Sequence, residues 1–121
     1  MSTSTGGRRP LEASLYRQAG PVRLYLGDAR QVMAAMPAAS VDCIVTSPPF
    51  WSLRDYGTGT WRGGDPGCPH PGTGRVDGAR CPACDAVRVD AQYGLEPTVE
   101  QYVARLVEVF DQARRVLAPP V

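Results

Sequence analysis

The apolar positions along the chain fall into two periodicities. Residues 22–26 (Val-Arg-Leu-Tyr-Leu) alternate apolar and polar at their start, which predicts a strand that Gly27 and Asp28 end. Residues 29–36 then place Val32, Met33 and Met36 on one helical face, with Asp28 positioned to cap the helix and Pro37 to stop it. The β-branched run 41–46 (Val-Asp-Cys-Ile-Val-Thr) fits a buried strand of a parallel sheet, with Cys43 in the core. Strand, helix and strand in this length predict a right-handed crossover unit.

A second helix is predicted after Thr98, which forms a capping-box pattern with Gln101. Tyr102, Leu106, Val109, Ala113 and Val116 recur at helical spacing, widened by Val103, Phe110 and Leu117. Glu100, Arg105, Glu108, Asp111, Gln112 and Arg115 take the other side, with Asp111 and Arg115 one turn apart and able to pair. An apolar stripe this wide asks for a sheet to cover, and only two strands are legible. Ala118-Pro119-Pro120-Val121 stops the helix.

Between these regions, from residue 57 to about 91, the chain is dense in Gly, Pro, Asp and Arg and poor in large apolar residues. A loop of that length needs internal support in a compact domain. Three of the four cysteines and the single histidine lie inside it. Cys68-x-His70 and Cys81-x-x-Cys84 form two close ligand pairs, a donor set suited to a tetrahedral structural zinc whose binding would supply the folding energy the insert lacks. The plainer alternative is a set of reduced thiols on a loop. A redox Cys-x-x-Cys would need a thioredoxin-like setting that the surrounding residues do not provide.

With 121 residues the chain has room for one domain with a modest core. Residues 1–20 read as a flexible tail whose first nine residues are Ser/Thr/Gly-rich and then basic. No apolar stretch follows as in a signal peptide, and no run reaches the length of a membrane span. The expected compartment is therefore the cytoplasm. Net charge is +1, so bulk charge does not announce a nucleic-acid partner. Every basic residue is Arg; its planar fork suits phosphates and base edges, but a GC-rich coding sequence accounts for most of that usage.

Ser47-Pro48-Pro49-Phe50 directly follows the second predicted strand, at the sheet edge where open α/β folds bind ligands. The residue types suit one reaction. An exocyclic amine on a nucleobase is a poor nucleophile because its lone pair is delocalised into the ring. Acceptors on both amine hydrogens, the Ser47 hydroxyl and the Pro48 carbonyl, would draw the nitrogen toward tetrahedral geometry and aim its lone pair at a methyl donor. Consecutive prolines hold those acceptors rigidly, and Phe50 offers a face on which an extruded base can stack. Taken as four residues alone, the motif reads more simply as a proline-ended strand followed by an aromatic plug.

Its setting changes that balance. From Val22 to Leu117 the chain resembles the N6-adenine/N4-cytosine site-specific DNA methyltransferases, which carry a Ser/Asp/Asn-Pro-Pro-aromatic motif after the same strand and helix. Ser52-Leu53-Arg54-Asp55-Tyr56-Gly57 resembles the bacterial and phage members in particular. The resemblance implies an α/β, partial Rossmann-like, S-adenosylmethionine-dependent methyltransferase fold over residues 21–121, with a zinc-knuckle-like insert at 57–93. It places Ser47, Pro48, Pro49 and Phe50 at the target base, and Asp28 near the adenine end of S-adenosylmethionine. Trp51, Arg54, Asp55 and Tyr56 would form a loop beside the base pocket. It further implies double-stranded DNA as substrate, with Ser rather than Asp before the prolines favouring cytosine N4 over adenine N6, and an insert that meets DNA through Arg62, Arg75, Arg80 or Arg88 or is purely structural. The family's Phe-x-Gly-x-Gly loop for the methionine end of the donor has no counterpart here, so a truncated enzyme lacking its C-terminal half is expected. The alternatives from other classes are a non-catalytic zinc-dependent DNA-binding module and an inactive remnant.

Overall fold

The computed structural model of the chain describes residues 10–71 and 76–120. Two compact units divide it, one of Met1–Val45 with Glu108–Val121 and one of Thr46–Val107. The architecture is mixed α/β, with two short two-stranded antiparallel sheets among the described residues. No described helix is long and apolar enough to cross a membrane.

In the first unit, a 3-10 turn at Leu11–Ser14 leads into β1 (Leu15–Ala19), which pairs antiparallel with β2 (Val22–Tyr25). The alternation in β2 was legible, but its partner occupies part of the segment expected to be a tail. The hairpin forms because Ala19 pairs with Val22 across a two-residue turn in which Gly20 adopts φ 56°, the left-handed conformation such turns use at their first central position. The rest of the expected tail, residues 1–9, lies outside the described residues. Nearly every residue of both strands is exposed, so the hairpin builds no core.

Helix α1 (Ala29–Ala34) is capped as expected, the Asp28 carboxylate accepting from the Gln31 backbone N–H at 3.2 Å. Its far end is satisfied from elsewhere in the chain. The Arg115 guanidinium donates to the Met33 and Met36 carbonyls at 2.6 and 2.8 Å, and to the Gln112 side chain at 2.9 Å. It therefore does not form the pair with Asp111 suggested by their one-turn spacing. Orphan carbonyls at a helix terminus are strong acceptors, and a charged donor there interacts favourably with the helix dipole.

The run 41–46 does not form the buried parallel strand read from its β-branched residues. Only Val41 is paired, in an isolated parallel bridge with Leu117 in which Val41 donates to Val116 and Ala118 donates back to Val41. Val45 is 92 % exposed, and Cys43 is exposed rather than in a core. The composition is that of a central strand, but a strand needs neighbours on its edges, and none is present among the described residues. The crossover unit and its parallel sheet are accordingly not formed there.

Helix α2 (Val99–Val116) starts at the expected capping box, with Gln101 N–H donating to Thr98 Oγ1 and Thr98 N–H to Gln101 Oε1, both at 3.2 Å. Ala113 and Val116 are buried, whereas Val99, Val103, Val107 and Phe110 remain exposed. The second unit takes its core from Cys81, Ala86 and Leu95, and also buries two carboxylates, Asp90 and Glu96. Its sheet pairs β3 (Thr60–Arg62) with β4 (Val87–Val89), Trp61 facing Arg88 in register.

Candidate functional site

The diproline turn lines a cleft of about 200 Å³ whose walls are Ser47, Pro48, Pro49, Phe50, Leu53, Arg54 and Tyr56. Its backbone is bolted down behind the cleft. The Tyr102 hydroxyl donates to the Pro49 carbonyl at 2.7 Å, and Ser52 N–H donates to the Gly94 carbonyl at 2.7 Å. Gly94 is required there twice over: it adopts φ 104°, and a Cβ would sit 2.7 Å from the Phe50 carbonyl oxygen. Within the described residues no hydrogen bond takes up the Ser47 hydroxyl or the Pro48 carbonyl, so both acceptors remain available. Phe50 leaves 71 % of its surface uncovered beside them.

The loop that follows divides its labour. Arg54 and Tyr56 line the cleft, whereas Trp51 and Asp55 anchor the loop. Trp51 donates its indole N–H to the Glu96 carbonyl at 3.0 Å, and Asp55 accepts from Arg88 at 3.3 Å while holding Gly57 N–H at 2.8 Å. Gln92 clamps the same loop with its side-chain amide, accepting from Tyr56 N–H at 2.9 Å and donating to the Arg54 carbonyl at 2.8 Å. Glu96 in turn accepts from Gly94 N–H with both oxygens and from Arg105 at 2.7 Å, so its buried charge is fully occupied. Arg105 also stacks on Tyr93 at 4.2 Å and donates to the Gln92 and Ala91 carbonyls.

Sequence reasoning missed Gln92, Gly94, Glu96, Tyr102 and Arg105 as supports of the turn. Two signals pointed at them: a carboxylate within a Gly-Leu-Glu-Pro turn, and a tyrosine hydroxyl on the apolar stripe of α2. Neither names its partner, because the contacts run from Glu96 to Arg105, nine positions away, up to Tyr102 to Pro49, 53 positions away. Asp28 lies in the first unit, where it caps α1.

The insert brings its four candidate ligands together. One donor atom each from Cys68, His70, Cys81 and Cys84 lies within 4.8 Å of every other. Cys68 and Cys81 sulfurs are 3.8 Å apart, and Cys84 Sγ is 3.5 Å from His70 Nδ1. A tetrahedral zinc with ordinary Zn–S and Zn–N bonds holds two sulfurs about 3.8 Å apart and sulfur and nitrogen about 3.6 Å apart. The donor set fits that metal in kind and in spacing.

The thiols are not electrostatically alike. Hydrogen bonds to the backbone of Asp65 and Ala86 hold Cys84 below the ordinary thiol range, favouring the thiolate that a metal requires. At Cys68 the His70 backbone N–H also favours the thiolate, but burial and the neighbouring Cys84 and Cys81 sulfurs outweigh it and push that thiol up. The turn is tight, with Asp85 N–H on the Cys81 carbonyl at 2.9 Å and Cys81 N–H on the Ala86 carbonyl at 2.8 Å. Gly64 (φ 67°) passes so close that a Cβ would meet Cys84 Sγ at 2.7 Å, another residue whose role was not legible.

Of the arginines read as DNA contacts, Arg88 is enclosed in ion pairs with Asp55 and Asp90 and does not reach the surface as a phosphate ligand. Arg80 pairs with Asp85 at 3.0 Å on the surface, Arg62 is exposed, and Arg75 lies outside the described residues.

The diproline turn thus sets two unbonded acceptors and an open aromatic face on neighbouring residues. Over most of its length the chain is similar to curated type II methyltransferases. It is 37 % identical over 94 residues to the type II methyltransferase M.Cfr9I of Citrobacter freundii, and 35 % over 94 residues to M.XycI of Xanthomonas campestris pv. cyanopsidis. To M.SfiI of Streptomyces fimbriatus it is 35 % identical over 106 residues. These matches cover 78 %, 78 % and 87 % of the chain, but 21 %, 21 % and 18 % of the relatives, so the chain spans about one fifth of their length. A 94-residue stretch of a 121-residue chain necessarily includes positions 28–94, and with them the diproline turn and the Cys/His cluster. No family model and no solved structure matches the chain.

Proposed function

We propose that the chain is the base-binding portion of a site-specific DNA methyltransferase that modifies an exocyclic amine of a base flipped out of double-stranded DNA inside the cell, cytosine N4 in preference to adenine N6. The observation that carries this reading is that Ser47, Pro48 and the exposed Phe50 line one cleft, with no hydrogen bond among the described residues taking up the Ser47 hydroxyl or the Pro48 carbonyl. Base flipping exposes the amine, and Phe50 stacks against the extruded ring, a contact worth roughly 1–3 kcal/mol per base. Ser47 and Pro48 each accept one amine hydrogen, which turns the nitrogen lone pair out of conjugation and toward the methyl group. Orientation and fixed dipoles carry the rate, without a strong base. Arg54 and Tyr56 border the base, with Trp51 and Asp55 fixing the loop that presents them.

S-adenosylmethionine supplies an electrophilic methyl on sulfur, and Asp28 is the residue assigned to its adenine end. The Phe-x-Gly-x-Gly loop expected at the methionine end has no match in these residues, and the chain spans one fifth of its relatives. We assign that loop, and the rest of a Rossmann-like parallel sheet, to sequence beyond these 121 residues. Val45 and the exposed face of α2 are the surfaces such a sheet would cover. Cys68, His70, Cys81 and Cys84 hold a structural zinc that shapes the insert, while chemistry stays at the diproline turn.

The test is methyl transfer from labelled S-adenosylmethionine to duplex DNA by the enzyme carrying this portion, followed by digestion to nucleosides. Label in N4-methylcytosine is the expected outcome, and label in N6-methyladenine would reverse the base preference. Salt-sensitive DNA binding that chelator abolishes, with no methyl transfer, would instead favour the zinc-dependent binding module.

A further inference from the structure

We propose that the Cys/His cluster sets the geometry of the base cleft through Arg88, a positioning residue that joins a metal ligand to the cleft loop; the role of the cleft rests on the reading above. His70 stacks on Trp61 with ring centroids 4.2 Å apart and planes 19° from parallel. Trp61 on β3 faces Arg88 on β4 in register, and the Arg88 guanidinium lies 5.8 Å from the Trp61 ring centre. From there Arg88 reaches Asp55 at 3.3 Å and Asp90 at 3.5 Å, with 12 % of its side chain exposed. Asp55 holds Gly57 N–H, and Asp90 holds Gln92 N–H at 2.9 Å and the Thr58 hydroxyl at 2.7 Å. Both carboxylates thus act on the loop that borders the cleft, Asp55 as part of it and Asp90 through the Gln92 clamp.

The route is contiguous and mostly buried, and two details mark it as built for that path. A side chain at Gly59 would collide with the Arg88 guanidinium, so the loop is cut away where Arg88 passes. Arg88 Nε and Asp90 Oδ2 are buried without hydrogen-bond partners, so the guanidinium is aimed at Asp55 at the expense of its own saturation. A metal that fixes His70 fixes the ring on which Trp61 lies. The Trp61–Arg88 pair then has one arrangement, and Asp55 is drawn with it.

Amide hydrogen exchange on the 121-residue chain, zinc-loaded and chelator-treated, tests this without reference to catalysis. Removing zinc is expected to speed exchange at Tyr56 and Gly57 at least tenfold. Asp55→Asn and Gly59→Ala, which disturb the route but leave the four ligands in place, are expected to produce the same acceleration with zinc bound. Their cobalt-substituted spectra and metal stoichiometry should match the unaltered chain. Exchange at Tyr56 and Gly57 that ignores metal, or that stays slow in both variants, would overturn the proposal. If the exchange result holds while the enzyme methylates no base, the coupling stands and the assigned function fails. If methylation holds and exchange is insensitive, the coupling alone fails.

Discussion

The two units of this chain are held together by opposite means. In Thr46–Val107, little apolar surface is buried among the described residues, and order comes from polar wiring: two buried carboxylates, two arginines with several partners each, and a cluster of three cysteines and a histidine that could hold a metal. In the unit formed by Met1–Val45 and Glu108–Val121 the apolar residues are present, yet Val22, Leu24, Leu26, Val45 and Phe110 stay exposed, and among the described residues only Ala113 and Val116 are buried. One region has few hydrophobes and satisfies its polar groups instead; the other has hydrophobes and too few strands to cover them. Exposed apolar surface on this scale marks an interface. The comparison teaches that the cleft and insert can be shaped by local wiring, whereas the strand-and-helix region leaves most of its described apolar surface uncovered.

The largest expected effect on the wired region is loss of the zinc proposed for its Cys/His cluster. Structural zinc in small modules contributes on the order of 10 kcal/mol, so chelation, or Cys81→Ser, is expected to abolish the cooperative unfolding of Thr46–Val107 followed by Trp fluorescence. The hairpin region, which has no such anchor, should be indifferent. Next is Arg88→Ala, which removes the cation shared by Asp55 and the buried Asp90 and is expected to destabilise by about 3–5 kcal/mol in chemical denaturation. Gly94→Ala introduces a side chain at φ 104° against the Phe50 carbonyl, and is expected to cost more than about 1 kcal/mol and to displace the diproline turn. Smallest is Val45→Ser: at 92 % exposure the change should move stability by less than about 0.5 kcal/mol. A large loss there would mean that the strand region already has a core of its own, and the contrast would break.

What could be read in advance follows the range of each interaction. The Asp28 cap, the Thr98–Gln101 capping box, β2 and α2 are set within a turn or two of chain, and all were legible. The Cys/His cluster was legible because metal ligands come in short spaced pairs. The run 41–46 failed for the reverse reason. Its residues announce a buried strand, but strand formation belongs to the neighbours, and Val41 alone finds one. β1 was missed because Leu15–Ala19 has no clean alternation and is defined by the Gly20 turn and its partner. The supports of the cleft, Gln92, Glu96, Tyr102 and Arg105, act over 9 to 53 positions, beyond the reach of any local pattern.

Comparing Ser47→Ala with the unaltered enzyme under single-turnover conditions on duplex DNA tests the central claim most directly. Ser47 carries no structural hydrogen bond among the described residues, so the variant should keep its stability and its affinity for DNA. Its rate of methyl transfer should fall by about 10²-fold, the usual loss when one preorganised polar partner of a transition state is deleted. An unchanged rate would contradict the account, because the amine would then be activated by something other than the diproline turn.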